Sequence, residues 1–274
     1  MEYFIAVIFK TNEEQTAMLT ALLMDAGFEG VEERENETRV FIAEISFEET
    51  IPAAIFEQFG LAYSTERIAQ QNWNATWESS FEPVQVDDFA AIRASFHAPV
   101  KGVEHDIIIT PKMSFGTGHH ATTFLMIQEM RLLNFKDKSV IDFGTGTGVL
   151  AILGEKLGAK ETIAIDYDEW SIDNAKENVE ANNCSKIVLL KADEMISDIK
   201  ADVILANINL NVIISNIALI RNACKVDSFI LFSGLLVQDE KIMSEVLDVN
   251  KLHILKIVSK NNWIAILAKL SGED

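Results

Sequence analysis

Along the first seventy residues the apolar positions switch between a two-residue and a helical period, and each switch marks an element. "YFIAVIFK" reads as a strand, and "NEEQTAMLTALLMDAG" as an amphipathic helix closed by Gly27. "EGVEERE" and "TRVFIAEIS" form a hairpin around Asn36-Glu37. "FEETIPAAIFEQFG" predicts a second helix ending at Gly60, and "AYSTERIAQ" a last strand. The order strand, helix, strand, strand, helix, strand is that of a split, ferredoxin-like α+β unit. Such units bind a partner or dimerise, and the order does not choose between the two.

The pattern breaks at "QQNWNATWESSFEPVQV", where Trp73, Trp77 and Phe81 share one helical face. That spacing predicts a short connecting helix pinned by aromatics onto the larger domain, with a ligand cage as the alternative. From Asp87 onward strands and helices alternate, beginning with the strand-like "FAAIRASFHA" and "HDIIIT" and the helix "TTFLMIQEMRLL". "SVIDF", "ETIAID", "KIVLLKA", "ADVILAN" and "SFILFSG" continue as strands, with helices between most of them. This alternation predicts a doubly wound, mostly parallel α/β sheet with crossover helices on both faces. After helix "DEKIMSEVL", the strands "LHILKIVSK" and "NWIAILAKL" join at Lys260-Asn261-Asn262 as an antiparallel hairpin. The boundaries expected are a small domain over 1–70, an aromatic-rich connector over 71–86, and the α/β domain over 87–274.

Two loops carry chemistry. "MSFGTGHHATT" (113–123) separates a strand from a helix, and "FGTGTGVLA" follows it closely. In the second, Gly144, Gly146 and Gly148 stand between a buried strand and a helix, where they permit positive φ and close approach of a ligand to backbone. The helix start beyond them offers free amides to an anionic group. The dinucleotide fingerprint needs Gly or Ala where this chain has Val149, and nucleotide-binding dehydrogenases do not usually end in an antiparallel hairpin. Asp166 closes the next strand, twenty-two residues after Gly144, where a carboxylate can accept both hydroxyls of a ribose. Asp193 ends the third strand, where an adenine edge would lie. A helix N-cap or loop role is the alternative for each acid.

Composition narrows the partners. The chain has 274 residues, 49% of them apolar, and a net charge of −19, which excludes a duplex-binding surface built on Lys and Arg. Thirteen acids against Lys10, Arg34 and Arg39 put more than half of that charge in residues 1–60. Simple solubility explains such a bias as well as a basic protein partner does. Cys184 and Cys224 lack the spacing of a metal site, so no metal is expected, and no disulfide either. "MEYFIAVIFK" is too short an apolar run for a signal peptide, and asparagines interrupt the most apolar window. The expected location is the cytoplasm, without membrane association.

With these features in place, the chain resembles the S-adenosylmethionine-dependent methyltransferases, whose sheet finishes in such a hairpin. "FGTGHH-TT", "VIDFGTGTGVLAI", "AIDYD", "DVILANI" and the connector "NWNATWESSFEP" narrow the resemblance to the ribosomal protein L-eleven methyltransferase family (PrmA type). It implies S-adenosylmethionine as cofactor, a small N-terminal domain that captures a basic large-subunit ribosomal protein, and methylation of that protein's lysines and N-terminal amine. Matching by motif puts cofactor contacts on Thr123, Gly144, Asp166 and Asn207. Gly146 and Asp193 join them, and Phe115 is expected to cover the cofactor. Asn207 is the expected acceptor for the target amine, and His120 either takes the proton or orders its loop. The chain departs from the family at His119-His120-Ala121 (Thr-His-Pro), at Thr110-Pro111-Lys112 (Asp-Pro-Gly) and at Asn209-Leu210 (Leu-Ala), and His119 is given no role. Rival readings are a methyltransferase acting on another protein or a small molecule, a dehydrogenase, and a non-catalytic binding protein. The release-factor glutamine methyltransferases carry Asn-Pro-Pro-Tyr where this chain has "NINL".

Overall fold

A computed structural model describes residues 3–34, 37–69, 82–110 and 121–270, and the chain divides into two compact units between residues 81 and 82. In the first, strands β1 (Tyr3–Phe9), β2 (Gly30–Arg34), β3 (Glu37–Ala43) and β4 (Ser64–Ala69) form an antiparallel sheet of order β2-β3-β1-β4. Helices α1 (Glu13–Asp25) and α2 (Thr50–Gln58) complete the predicted order. Alternation in β3 buries Thr38, Val40 and Ile42. The last two join Ile5, Val7 and Phe9 of β1 with Leu19, Leu23 and Phe56 of the helices in one core. Asn12 caps α1 by accepting from the Gln15 amide at 2.9 Å.

The second unit holds two sheets. Strands β5 (Val84–Val86), β6 (Ala90–Arg93) and β7 (His105–Ile108) form a small sheet of their own. The strand-like "FAAIRASFHA" and "HDIIIT" thus stand apart from the large sheet, which has the seven strands expected, from "SVIDF" to "NWIAILAKL". A side-chain pair pins β6 to β7: Arg93, 6% exposed, bonds the carboxylate of Asp106 and the carbonyl of His97.

The large sheet has the order β10-β9-β8-β11-β12-β14-β13. Its strands are β8 (Ser139–Phe143), β9 (Glu161–Asp166), β10 (Ile187–Lys191), β11 (Ala201–Asn207), β12 (Cys224–Leu236), β13 (Leu252–Lys260) and β14 (Trp263–Leu270). The first five run parallel, and β14 lies antiparallel to both β12 and β13. Asn261 and Asn262 take φ of 50° and 67°, the left-handed pair that a tight hairpin turn requires. Helices α3 (Ala121–Met130), α4 (Val149–Lys156) and α5 (Glu169–Ala181) contribute to one apolar core. Helices α6 (Leu210–Ala223) and α7 (Glu240–Val249) contribute to the other. Strand order reverses between β8 and β11, so a crevice opens at the carboxyl ends of these strands.

Candidate active site

The turn after β8 is built to be approached. Gly144, Gly146 and Gly148 all have positive φ (77°, 54° and 79°). A methyl group on Gly144 would sit 2.1 Å from Ile208 Cγ2, so no side chain fits there without moving that residue. The Gly144 and Thr145 amides bond the Ile165 carbonyl at 2.8 and 2.9 Å, tying the turn to the end of β9.

Asp166, 7% exposed, anchors the turn from the same side. Its Oδ2 accepts from the Gly146 amide at 2.9 Å and its Oδ1 from the Asp168 amide at 3.1 Å. A carboxylate has about four lone-pair sites, so two remain for a ligand's hydroxyls. The N-cap of α5 is Asp168, which accepts from the Ser171 amide and hydroxyl. The capping role at this helix therefore falls to Asp168, and Asp166 holds only the backbone amide of that cap residue.

Beneath the turn, Asp142 is wholly buried. Its Oδ2 accepts from the Thr145 hydroxyl at 2.6 Å, and Oδ1 has no hydrogen-bond partner among the described residues. Burial pushes its pKa up to about 7, and the Asp166 charge adds to the rise, although the Thr145 hydroxyl and the Ala151 amide pull the other way.

These elements enclose a cavity of about 460 Å³. The sequence-predicted Gly144, Gly146, Asp166, Asp193 and Asn207 all line it. Asn207, 9% exposed at the end of β11, presents an Oδ1 without a hydrogen-bond partner among the described residues. Thr123 is fully buried in α3 outside this lining, its hydroxyl likewise unpartnered among the described residues. Phe115, His119 and His120, with Trp73, Trp77 and Phe81 of the connector, lie outside the described residues.

Sequence reading missed part of the wall: Tyr167, Asp168, Ile208, Gly234 and Trp263. Gly234 has φ of 83°, and a methyl group there would lie 2.4 Å from the Ile208 carbonyl oxygen. A glycine inside an apolar strand run was the available signal for such an approach. The departure at Asn209 has a local reason, because Asn209 caps α6 by accepting from the Val212 amide at 3.1 Å.

Cavity and donor set suit an adenosyl amino acid. The volume falls within the roughly 300–1,000 Å³ usual for cofactor sites. Glycine backbone, a buried carboxylate with spare acceptors and the asparagine that ends β11 line it. No group of His, Cys, Asp and Glu suited to a metal ion occurs among the described residues.

Comparison with known proteins agrees with this geometry. A family model described as Ribosomal protein L11 methyltransferase (PrmA) matches residues 6–271. A curated protein of that name from Porphyromonas gingivalis is 36% identical over 269 residues, covering 93% of this chain and 91% of the relative. One from Chlorobaculum parvum is 36% identical over 276 residues, covering 96% and 95%. The crystal structure of ribosomal protein L11 methylase from Lactobacillus delbrueckii subsp. bulgaricus superposes with a TM-score of 0.65 at 28% identity, over 70% of this chain and 100% of that one. Built around this crevice and matched along nearly its whole length, the chain belongs to the ribosomal protein L11 methyltransferase family.

Proposed function

We propose that this chain transfers methyl groups from S-adenosylmethionine to lysine side chains and the N-terminal amine of the large-subunit ribosomal protein L11. The observation that carries the reading is the cavity at the reversal of strand order, where Asp166, the glycine turn and Asn207 converge. When bound, the cofactor supplies an electrophilic methyl group on a sulfonium that leaves as a neutral thioether. Asp166 receives the ribose hydroxyls through the lone pairs its own bonds leave free. Asp193 and Tyr167 border the base.

The target nitrogen must be neutral. A free lysine has a pKa near ~10.4, so deprotonation at pH 7 costs about 4–5 kcal/mol. Desolvation lowers that cost, and Asn207, through its amide oxygen or its neighbouring backbone carbonyl, would accept an N–H of the incoming amine and orient its lone pair. The 1–70 region serves as the capture domain for the ribosomal protein, 71–86 as connector and 87–274 as the transferase. The reaction is placed in the cytoplasm. No helix among the described residues is long and apolar enough to cross a membrane.

Incubation with labelled S-adenosylmethionine and ribosomal extract, followed by mass spectrometry, should put label on amines of L11. The reading fails if no ribosomal protein is labelled, or if calorimetry detects a nicotinamide dinucleotide and not S-adenosylmethionine. Replacing Asn207 by alanine should lower kcat by about 10- to 100-fold. A wild-type rate at saturating cofactor and substrate would remove Asn207 from the chemistry.

A further inference from the structure

Helix α5 and its C-cap residue turn three asparagines, spaced four residues apart, toward the end of β7. Asn182 brackets Ile108, accepting from its amide at 3.0 Å and donating to its carbonyl at 2.7 Å. Two residues on, the Thr110 amide donates to Asn178 Oδ1 at 2.7 Å, and Asn174 Nδ2 donates to the Thr110 carbonyl at 3.1 Å. Side-chain amides thus stand where the backbone of another strand would, and they satisfy a free edge.

Asn178 does something its neighbours do not. Its Nδ2 donates to the Thr147 carbonyl at 2.8 Å, inside the glycine turn. The residue is wholly buried, so neither bond is shared with solvent. One turn earlier on the same helix, Ala175 Cβ lies where a methyl group on Gly148 would come within 3.3 Å, and the turn is seated against this face of α5.

We propose that Asn178 is a positioning residue for the cofactor site, holding the glycine turn and the end of β7 at a fixed spacing through one planar amide. The proposal rests on the reading that this turn binds S-adenosylmethionine. With the Thr147 carbonyl pinned by Asn178 and the Gly146 amide pinned by Asp166, the turn is fixed at two successive residues. Ligand binding then has no loose turn to order.

Asn182 supplies the control. It fastens the same strand end, and its hydrogen bonds go to Ile108 and to the Asn178 backbone carbonyl and to no part of the glycine turn among the described residues. Asn178→Asp keeps the acceptor for Thr110 and sets a carboxylate oxygen against the Thr147 carbonyl. Asn182→Asp makes the equivalent change against Ile108. Affinity for S-adenosylmethionine by calorimetry, kcat, KM and Tm should be compared in both variants. N178D should weaken cofactor binding by about tenfold or more, and N182D by less than about threefold at a similar loss in Tm.

As pH falls, the carboxyl of N178D gains a proton that it can donate to Thr147. Its affinity relative to wild type should recover, while that of N182D stays level. Equal weakening in the two variants, or wild-type affinity in N178D, overturns the proposal.

If N178D does not fold, amide exchange of the wild-type protein decides the matter. Cofactor should slow exchange at Thr110 more than at Ile108, and equal protection overturns the proposal. A wild-type protein that binds no S-adenosylmethionine overturns the functional reading as well. That failure is told apart because it appears without any substitution.

Discussion

Asp142 shows what a single side chain costs at this site. A carboxyl whose folded pKa stands near 7 keeps its proton through a range where the unfolded chain has lost it. Its contribution to stability therefore falls as pH rises from about 4 to about 7, then levels. Asp142→Asn should flatten that slope in urea denaturation measured across this interval, and an unchanged slope would reassign the titration. Gly234 is constrained by contact. Gly234→Ala brings a methyl group against the Ile208 backbone at a positive φ, with an expected loss of about 2–3 kcal/mol by the same assay. Residues of these two kinds differ in legibility. Gly144 and Asp166 could be found because their positions relative to their own strands state their task. Gly234 and Trp263 act through pairing: Gly234 lies where β12 and β14 lose register, between Phe232 and Leu235, and Trp263 pairs with Leu236 just beyond. That register comes from strands in contact, and a linear pattern does not carry it.

Elements of the large sheet were legible nearly throughout, since buried strands and crossover helices have distinct periods. Legibility failed where side chains replace backbone pairing. Nothing in the period of "HDIIIT" says that the asparagines of α5, and not a strand, flank its end. A second polar device joins the opposite ends of the parallel strands. Asp202 on β11 accepts from the Ser139 amide and hydroxyl on β8, at 2.9 and 2.7 Å, and pairs with Lys225 on β12 at 2.9 Å. Burial alone would raise its pKa, but the Ser139 amide, Lys225 and the Ser139 hydroxyl outweigh burial and hold it well below the usual carboxylate range. A lowered folded pKa stabilises above the unfolded value, and that contribution is lost as pH drops below about 4. Asp202→Asn should cost about 2–3 kcal/mol at neutral pH and progressively less in acid. A cost independent of pH would mean that the charge is not what binds the strand ends.

At the scale of the molecule, the net charge of −19 suits a basic partner, with more than half of it in residues 1–60. If that region meets a basic ribosomal protein, raising salt from 0.05 to 0.5 M should raise the KM for the protein substrate by about tenfold or more and leave the KM for the cofactor nearly unchanged. A salt-independent KM would assign the acids to solubility. Charge and motif could be read from composition; how the first unit engages a partner depends on a surface, which composition does not describe. The hairpin has a consequence of another sort. Strand β14 lies between β12 and β13, so an interior place in the sheet is filled by a strand made after both of its neighbours, and Trp263 of the crevice comes with it. A nascent chain halted before residue 263 has β12 bare along one side and a crevice lacking a wall. Translation thus imposes an order of events: the crevice is walled only after the chain through Trp263 has left the peptidyl transferase centre.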